Sequence, residues 1–458
     1  MLTKFSSMIF SGLLLSFISV QVFAMPDIQN WQSDNGAKVM YVHVNGLPML
    51  DVRVIFDAGS ARDDGLSGLA ALTNGLLAEG AGGQTAQALA EQFESVGAQL
   101  ENDSLRDMAI VGVRSLTEKV YLDTALATLL TVLSQPDFNQ KEFERELARM
   151  KVSVTARKQS PSAIADEAFN KAIYGDHPYA APSGGTEESV ERLNLEAIKA
   201  FYQKYYVAKN ALIVIVGAVE RSKAEVIANS LSKGLAVGEK AAAIPEVQPL
   251  TEKKVIRIQY PSKQAHIYMG QPGMKRGDED YFSLYMANHP FGGSGFASRL
   301  VETIREDRGL AYSVYSYFSP MREAGPFMMG MQTRADQTDQ AVSLLQSELE
   351  KYIAEGPAED ELADSISNVV GSFPLNLDSN SKLMGYLAMM GFYNLPDDYL
   401  QKFVKNVESV TPASAKDAMA RRIKTDKLIT VIVGDIEADE AVVEQKDGED
   451  KKVEKAEE

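Results

Sequence analysis

The sequence predicts an α+β protein made of two tandem homologous domains, each a largely antiparallel β-sheet with helices packed on it. Three echoes, in one order and at one spacing, carry that prediction. The strand-like run "ALIVIVGAVE" around Gly217 returns as "LITVIVGDIE" around Gly434, an offset of about 217 residues. "QPDFNQKEFEREL" from Gln135 returns as "AEGPAEDELADSI" from Ala354 at nearly the same offset, and "FDAGSARDDGLSGLA" is matched more loosely by "GQPGMKRGDEDYFSLYM". At 458 residues the chain exceeds one ordinary core, which a duplication accounts for.

In chain order, the first segment reads "MLTKFSSMIFSGLLLSFISVQVFAMPD". One Lys precedes an apolar run from about Met8 to Val22, and small residues stand near the expected cut. We expect a secretory signal over residues 1–24, cleaved after Ala24, and a periplasmic protein. The run is short for a bilayer span, so no stable membrane insertion is expected after cleavage. The chain has no cysteine, which removes disulfides and thiolate metal sites. A formal net charge of -17 argues against a nucleic-acid partner, since phosphate binding needs clustered Lys and Arg.

The first copy spans residues 25–235. Its opening, "NWQSDNGAKVMYVHVNGLPMLDVRVIFDAG", reads as strands joined by Asn-Gly turns at Asn35-Gly36 and Asn45-Gly46. "GLSGLAALTNGLLAEG" from Gly65 follows as an amphipathic helix, its apolar stripe formed by Leu66, Leu69, Leu76 and Leu77 with Ala70 and Thr73. Beside that stripe, Ala71, Asn74 and Gly75 make a bare face of small residues with nothing to titrate. Next come a helix from about Thr85 to Val96, the strand "DMAIVGVRSL", a helix from about Val120 to Leu133, a long helix from near Gln140 past Met150, and a helix from about Leu193 to Tyr205. Residues 236–253, rich in Pro, Gly, Ala and charge without periodicity, read as a linker, and the second copy spans 254–436. The last stretch, 437–458, is charged and has no aromatic residue; it reads as an acidic, solvated tail.

These motifs resemble the pitrilysin/insulinase family of zinc metallopeptidases, in particular the short subunits typified by mitochondrial processing peptidase and its bacterial relatives. The resemblance covers nearly the whole mature chain. It rests on the turn Gly59-Ser60-Ala61-Arg62-Asp63 before a Gly-Leu-Ala helix, on "GDHPY" from Gly175 to Tyr179 followed by Gly-Thr-Glu-Glu from Gly185 to Glu188, and on "SRLVETIREDRGLAYSVYS" from Ser298 to Ser316. Active subunits of the family carry H-x-x-E-H on the first helix, two imidazoles holding zinc and a Glu activating its water. Aligned on Gly68-Leu69-Ala70, those positions here are Ala71, Asn74 and Gly75. The family's third ligand, a Glu further on, falls in Met150-Lys151-Val152-Ser153. No metal is therefore expected in this chain; the resemblance implies zinc in a partner.

The four histidines, His43, His177, His266 and His289, do not stand at ligand spacing. His177 is expected to hold its turn by hydrogen bonds and His289 to cap a helix, while His43 and His266 lie in strands. No nucleophile-elbow motif is present. The resemblance further implies that Arg305 and Tyr312, seven residues apart across a helix end, reach from the second domain to grip substrate beside a partner's zinc. Read locally, Arg305 is equally an ion-pair partner of Glu302 or Glu306, and Tyr312 a packing residue. Arg308 and Gly309 are expected to end the helix. Gly292, Gly293 and Gly295 form either a flexible turn lining the substrate path or a simple tight turn.

The expected function is thus the non-catalytic subunit of a heterodimeric zinc endopeptidase. Its expected partners are an H-x-x-E-H-containing subunit and an unfolded peptide, bound in part by strand addition. The competing expectation is a stand-alone peptide-binding or structural/assembly protein of the same fold.

Overall fold

The computed structural model describes residues 25–437; the signal expectation and all but the first residue of the acidic tail lie outside the described residues. The first copy opens with β1 (Gln29–Gln32), β2 (Lys38–His43) and β3 (Met49–Phe56), then α1 (Leu69–Leu76). A short ribbon, β4 (Gly80–Ala81) with β5 (Gln84–Thr85), leads to α2 (Ala86–Ser95), β6 (Gln99–Ser104) and β7 (Ala109–Leu116). Helices α3 (Lys119–Ser134), α4 (Gln140–Arg157), α5 (Pro161–Tyr174), α6 (Glu187–Arg192) and α7 (Leu195–Tyr205) follow, closed by β8 (Ala211–Gly217) and α8 (Arg221–Lys233).

The second copy holds β9 (Lys254–Gln259), β10 (Gln264–Pro272), α9 (Tyr281–Asn288), β11 (Ser313–Phe318) and β12 (Pro326–Arg334). Then come α10 (Thr338–Glu355), α11 (Glu359–Ser372), α12 (Asn380–Tyr393), α13 (Tyr399–Glu408), α14 (Pro412–Arg422) and β13 (Ile429–Gly434).

The duplication is visible in strand order. The first sheet runs β1-β2-β8-β3-β7-β6, and the second, read from its far side, β9-β13-β10-β12-β11. β2–β8 and β9–β13 are parallel; every other pair in these two sheets is antiparallel. Asn35-Gly36 does turn a hairpin, with Gln32 opposite Lys38. Asn45-Gly46 does not, which corrects the expectation: β8 enters between β2 and β3 and pairs with both. All seven β8 residues are buried, so the most apolar strand takes a central place covered on both faces.

One face of the first sheet, with Val39, Val52, Val54 and Ile213, packs under the copy's own helices. The opposite face, with Met40, Val42, Leu212 and Val214, is covered by α12, a helix of the second copy carrying Leu387 and Met390. Reciprocally, α5 of the first copy lays Ala165, Phe169 and Ile173 on β10 and β13 of the second sheet. Both exchanged helices have 14 residues and follow the same neighbours in their copies. Burying each large apolar side chain this way is worth about 2 kcal/mol. Each domain therefore completes its core with a helix from the other.

Buried carboxylates tie the copies together at the crossing. Asp107 accepts from the Tyr179 hydroxyl (2.5 Å), the Tyr393 hydroxyl (2.9 Å) and the Arg322 main-chain N–H (2.8 Å). Asp57 pairs with Arg62 (2.8 Å) and with Arg322 (3.2 Å), whose guanidinium also lies over the Phe392 ring. Residues 236–253 carry no helix or strand and pack Ile244 and Val247 against α5.

Candidate functional site

Helix α1 is held at its start by Asp63. One carboxylate oxygen accepts from Gly68 N–H (2.9 Å) and the other from Ala70 N–H (2.8 Å). Gly68 takes φ +95°, and a side chain there would press on the Gly185 backbone and the Met150 sulfur, each 3.2 Å from the would-be Cβ. The Gly-Thr-Glu-Glu loop and α4 are thereby brought against the helix. Burial pushes the Asp63 carboxyl up to about 7, against the pull of those two N–H donors and of Arg106. With the folded value raised, the stability this group contributes is present in full at low pH and is lost as pH rises through 7. Thermal melting from below pH 4 to above pH 7 should show wild type losing ground to Asp63→Asn as pH rises. Parallel profiles would remove this carboxyl as the source.

The face beside the apolar stripe is not bare, which corrects the sequence expectation. Asn74 is 1% exposed. Its amide nitrogen donates to the Asn102 side-chain oxygen, to the Asp103 carbonyl (2.8 Å) and to the Ile110 carbonyl (3.3 Å). Its amide oxygen accepts from the Tyr206 hydroxyl (2.9 Å), and its main-chain carbonyl accepts from the Asn102 amide (2.8 Å). Helix α1 is thus fastened to β6, the free edge of the first sheet, and to β7. Tyr206 is fully buried, which raises its pKa well above the ordinary value and keeps the hydroxyl a donor. Ala71 is half-buried and Gly75 is exposed beside open space.

These residues do not fit a zinc ion. At the three motif positions stand a methyl group, an amide whose nitrogen is spent on carbonyl oxygens, and a hydrogen atom. On α4, Lys151 is ion-paired with Glu191 (2.8 Å), placing a cation where the family's third ligand would fall. Among the described residues no group of three or more His, Cys, Asp or Glu could hold a metal ion. His177 holds its turn: Nδ1 accepts from Tyr179 N–H (3.1 Å) and Nε2 donates to the Pro245 carbonyl (2.8 Å). Burial lowers its pKa, so this tautomer is neutral. His289 sits at the C-cap of α9; its Nδ1 is buried without a partner among the described residues, and its side chain is hydrogen-bonded to Asn368. His43 ends β2 and His266 lies within β10.

The second half of the candidate site is built on α9, the counterpart of α1. Asn288 at its end donates to the Ser316 carbonyl (3.0 Å) and accepts from the Ser316 hydroxyl (2.6 Å), fastening α9 to the edge strand β11. The glycine-rich turn follows as a wide π-type turn, His289–Gly293. Gly292 lies so close to β11 that a Cβ would fall 2.7 Å from Ser316 N, which only glycine tolerates. Gly293 and Gly295 are exposed, Gly295 at φ +64°, and they present Phe296 to solvent, 78% exposed. A second π-type segment, Val301–Glu306, carries Arg305. It ends as expected: Gly309 N–H returns to the Arg305 carbonyl (3.0 Å) and Arg308 donates to the Thr303 carbonyl (2.5 Å).

Arg305 pairs with Glu306 (3.3 Å), and its guanidinium lies 5.0 Å from the centre of the Phe296 ring. Tyr312 stands at the head of β11, 76% exposed, its main chain donating to the Gln332 carbonyl (2.9 Å). No hydrogen bond, ion pair or ring contact joins Arg305 to Tyr312 among the described residues. Both present donors to solvent, a planar guanidinium fork and a phenol, suited to carbonyl or carboxylate oxygen. Sequence reasoning missed the partners of Asn74, the exposed Phe296 and the cap at Asp63. None of the three left a local signal: Asp63 stands five residues before Gly68, the N-cap position of α1, outside the pattern by which capping residues are read.

Comparison with known proteins gives two adjoining family matches. The family model described as "Insulinase (Peptidase family M16)" covers residues 38–187, and that described as "Peptidase M16 inactive domain" covers 192–369. The chain is similar to a solved peptidase M16 inactive domain from Pseudomonas fluorescens, at 37% identity over 90% of this chain and 99% of that one, with a TM-score of 0.87. It is also similar to a protein of Helicobacter pylori called "Non-peptidase homolog YmxG", 26% identical over 93% of this chain and 98% of the relative. A Bacillus subtilis relative called "Uncharacterized zinc protease YmxG" is 26% identical over 78% of this chain and 86% of its own.

Proposed function

The chain belongs to the insulinase peptidase family, M16, and from that premise we propose that it serves as the non-catalytic subunit of a periplasmic, heterodimeric zinc endopeptidase. The observation that carries this reading is Asn74. The position that would activate water is occupied by a buried amide spent on holding α1 to the sheet edge, with Ala71 and Gly75 beside it. This chain then contributes binding and orientation, and an H-x-x-E-H-containing partner subunit contributes the zinc.

In this role Arg305 and Tyr312 donate hydrogen bonds to an unfolded peptide held against the partner's metal site, and the turn from Gly292 to Gly295 lies along its path. Tyr312 is exposed and Arg305 half-buried, and neither belongs to the buried core, which supports this reading. Replacing Arg305 by Ala and Tyr312 by Phe should lower turnover of the two-chain complex at least about 100-fold, the scale of losing an oxyanion donor. Co-elution of the two chains should be unchanged. Unaltered turnover removes the pair from the mechanism and favours a structural or assembly protein of the same fold.

A further inference from the structure

The chain carries three Asn-Gly pairs, Asn35-Gly36, Asn45-Gly46 and Asn74-Gly75. Glycine has no side chain to shield its amide nitrogen, so that nitrogen can reach the carbon of the preceding Asn carboxamide wherever both groups are free. The fold engages two of the pairs. Asn74 is 1% exposed with its amide nitrogen spent on carbonyl oxygens, and Gly75 lies inside α1, where its N–H is bonded along the helix. Asn35 donates to the Ser232 carbonyl (3.0 Å) and the Leu235 carbonyl (3.4 Å), while Gly36 N–H donates to the Ser33 carbonyl (2.9 Å).

Asn45-Gly46 is left open. It belongs to the connection that passes the end of β8 on its way from β2 to β3. That connection is tied at both ends: Val44 N–H donates to the Gly217 carbonyl (3.1 Å), and the Pro48 carbonyl accepts from Thr117 N–H (2.9 Å). Between the ties Asn45 and Gly46 are exposed, and Gly46 N–H makes no hydrogen bond among the described residues. A Cβ on Gly46 would meet nothing within 4 Å. The Asn45 side chain has one neighbour, His43. Nδ1 of that ring donates to the Val219 carbonyl (2.7 Å), and Nε2 faces Oδ1 of Asn45. Oxygen acceptors at both ring nitrogens favour the charged imidazolium, so the His43 pKa is raised, by the Val219 carbonyl first and then by Asn45 and Glu220.

From this geometry we infer that Asn45 is a modification site, at which the folded chain converts its own Asn to aspartate and isoaspartate with His43 as the acid. The Gly46 nitrogen attacks Cγ of Asn45. The N–Cγ bond forms, the Cγ–Nδ2 bond breaks, and the proton lost from Gly46 leaves with Nδ2 as ammonia. His43 donates to Oδ1, drawing electron density from Cγ as the nitrogen adds. Water then opens the cyclic imide. Addition at Cγ gives aspartate; addition at the main-chain carbonyl carbon gives isoaspartate, which adds a methylene to the backbone. Either product sets a carboxylate beside the His43 ring, in the connection that crosses β8.

The test holds the full mature chain folded at neutral pH and follows its tryptic peptides over days by chromatography and mass spectrometry. The peptide with Asn45 should split into aspartate and isoaspartate forms at least about tenfold faster than those with Asn35 and Asn74, which must first open their bonds. In urea the three peptides should react at comparable rates, showing that the fold makes the selection. His43→Gln should slow the reaction at Asn45 by at least about tenfold. Asn45→Ser should abolish it while leaving the melting temperature unchanged. No reaction at Asn45, or equal or faster reaction at Asn35 or Asn74 in the folded chain, overturns the site. An unchanged rate in His43→Gln overturns the part given to the imidazole.

Discussion

Replacing Asn74 by Glu, the residue type that active relatives carry at this place, is expected to destabilise the chain by about 3–5 kcal/mol rather than move it towards activity. The amide donates to Asn102, Asp103 and Ile110 and accepts from Tyr206, all within a site from which water is excluded. A carboxylate keeps only the bond from Tyr206. It turns a negative charge on three oxygen acceptors and leaves them without a donor. Asn74→Ala removes the same bonds without adding charge and should cost about 2 kcal/mol. Denaturant unfolding of the three proteins measures both effects. A Glu variant as stable as wild type would show that α1 does not depend on this amide.

The second large effect is expected at Asp107. Its side chain joins three segments far apart in sequence: the "GDHPY" turn through Tyr179, the loop before β12 through Arg322, and α12 through Tyr393. Asp107→Ala leaves one buried and two half-buried donors without their acceptor and should cost about 3 kcal/mol. Asp107→Asn keeps one acceptor and should cost less. Because the network spans the crossing between the copies, the Ala variant should also be cut faster by protease within residues 236–253. Unchanged proteolysis together with unchanged unfolding would show that the exchanged helices alone hold the domains together.

Much of the fold was legible in the sequence because its signals are local. Apolar runs and Asn35-Gly36 mark element borders within a few residues, and the repeated strand around Gly217 and Gly434 reveals the duplication. What stayed hidden is long-range. The insertion of β8 between β2 and β3 leaves no trace at Asn45-Gly46, which has the residues of a hairpin turn without being one. The exchange of α5 and α12 was equally hidden, since an amphipathic helix reads the same whichever sheet it covers. Asn74 looked inert for the same reason: its partners Asn102 and Tyr206 lie 28 and 132 residues away. The loss of the zinc motif, by contrast, was legible at once, because H-x-x-E-H confines its chemistry to one turn of helix.

The most direct measurement is cleavage of an unfolded peptide by this chain alone, by an H-x-x-E-H-bearing partner chain alone, and by the two mixed. Hydrolysis by the mixture only, abolished by a chelator, is the expected result. Chelator-sensitive hydrolysis by this chain alone, or a partner that works equally fast without it, would contradict it.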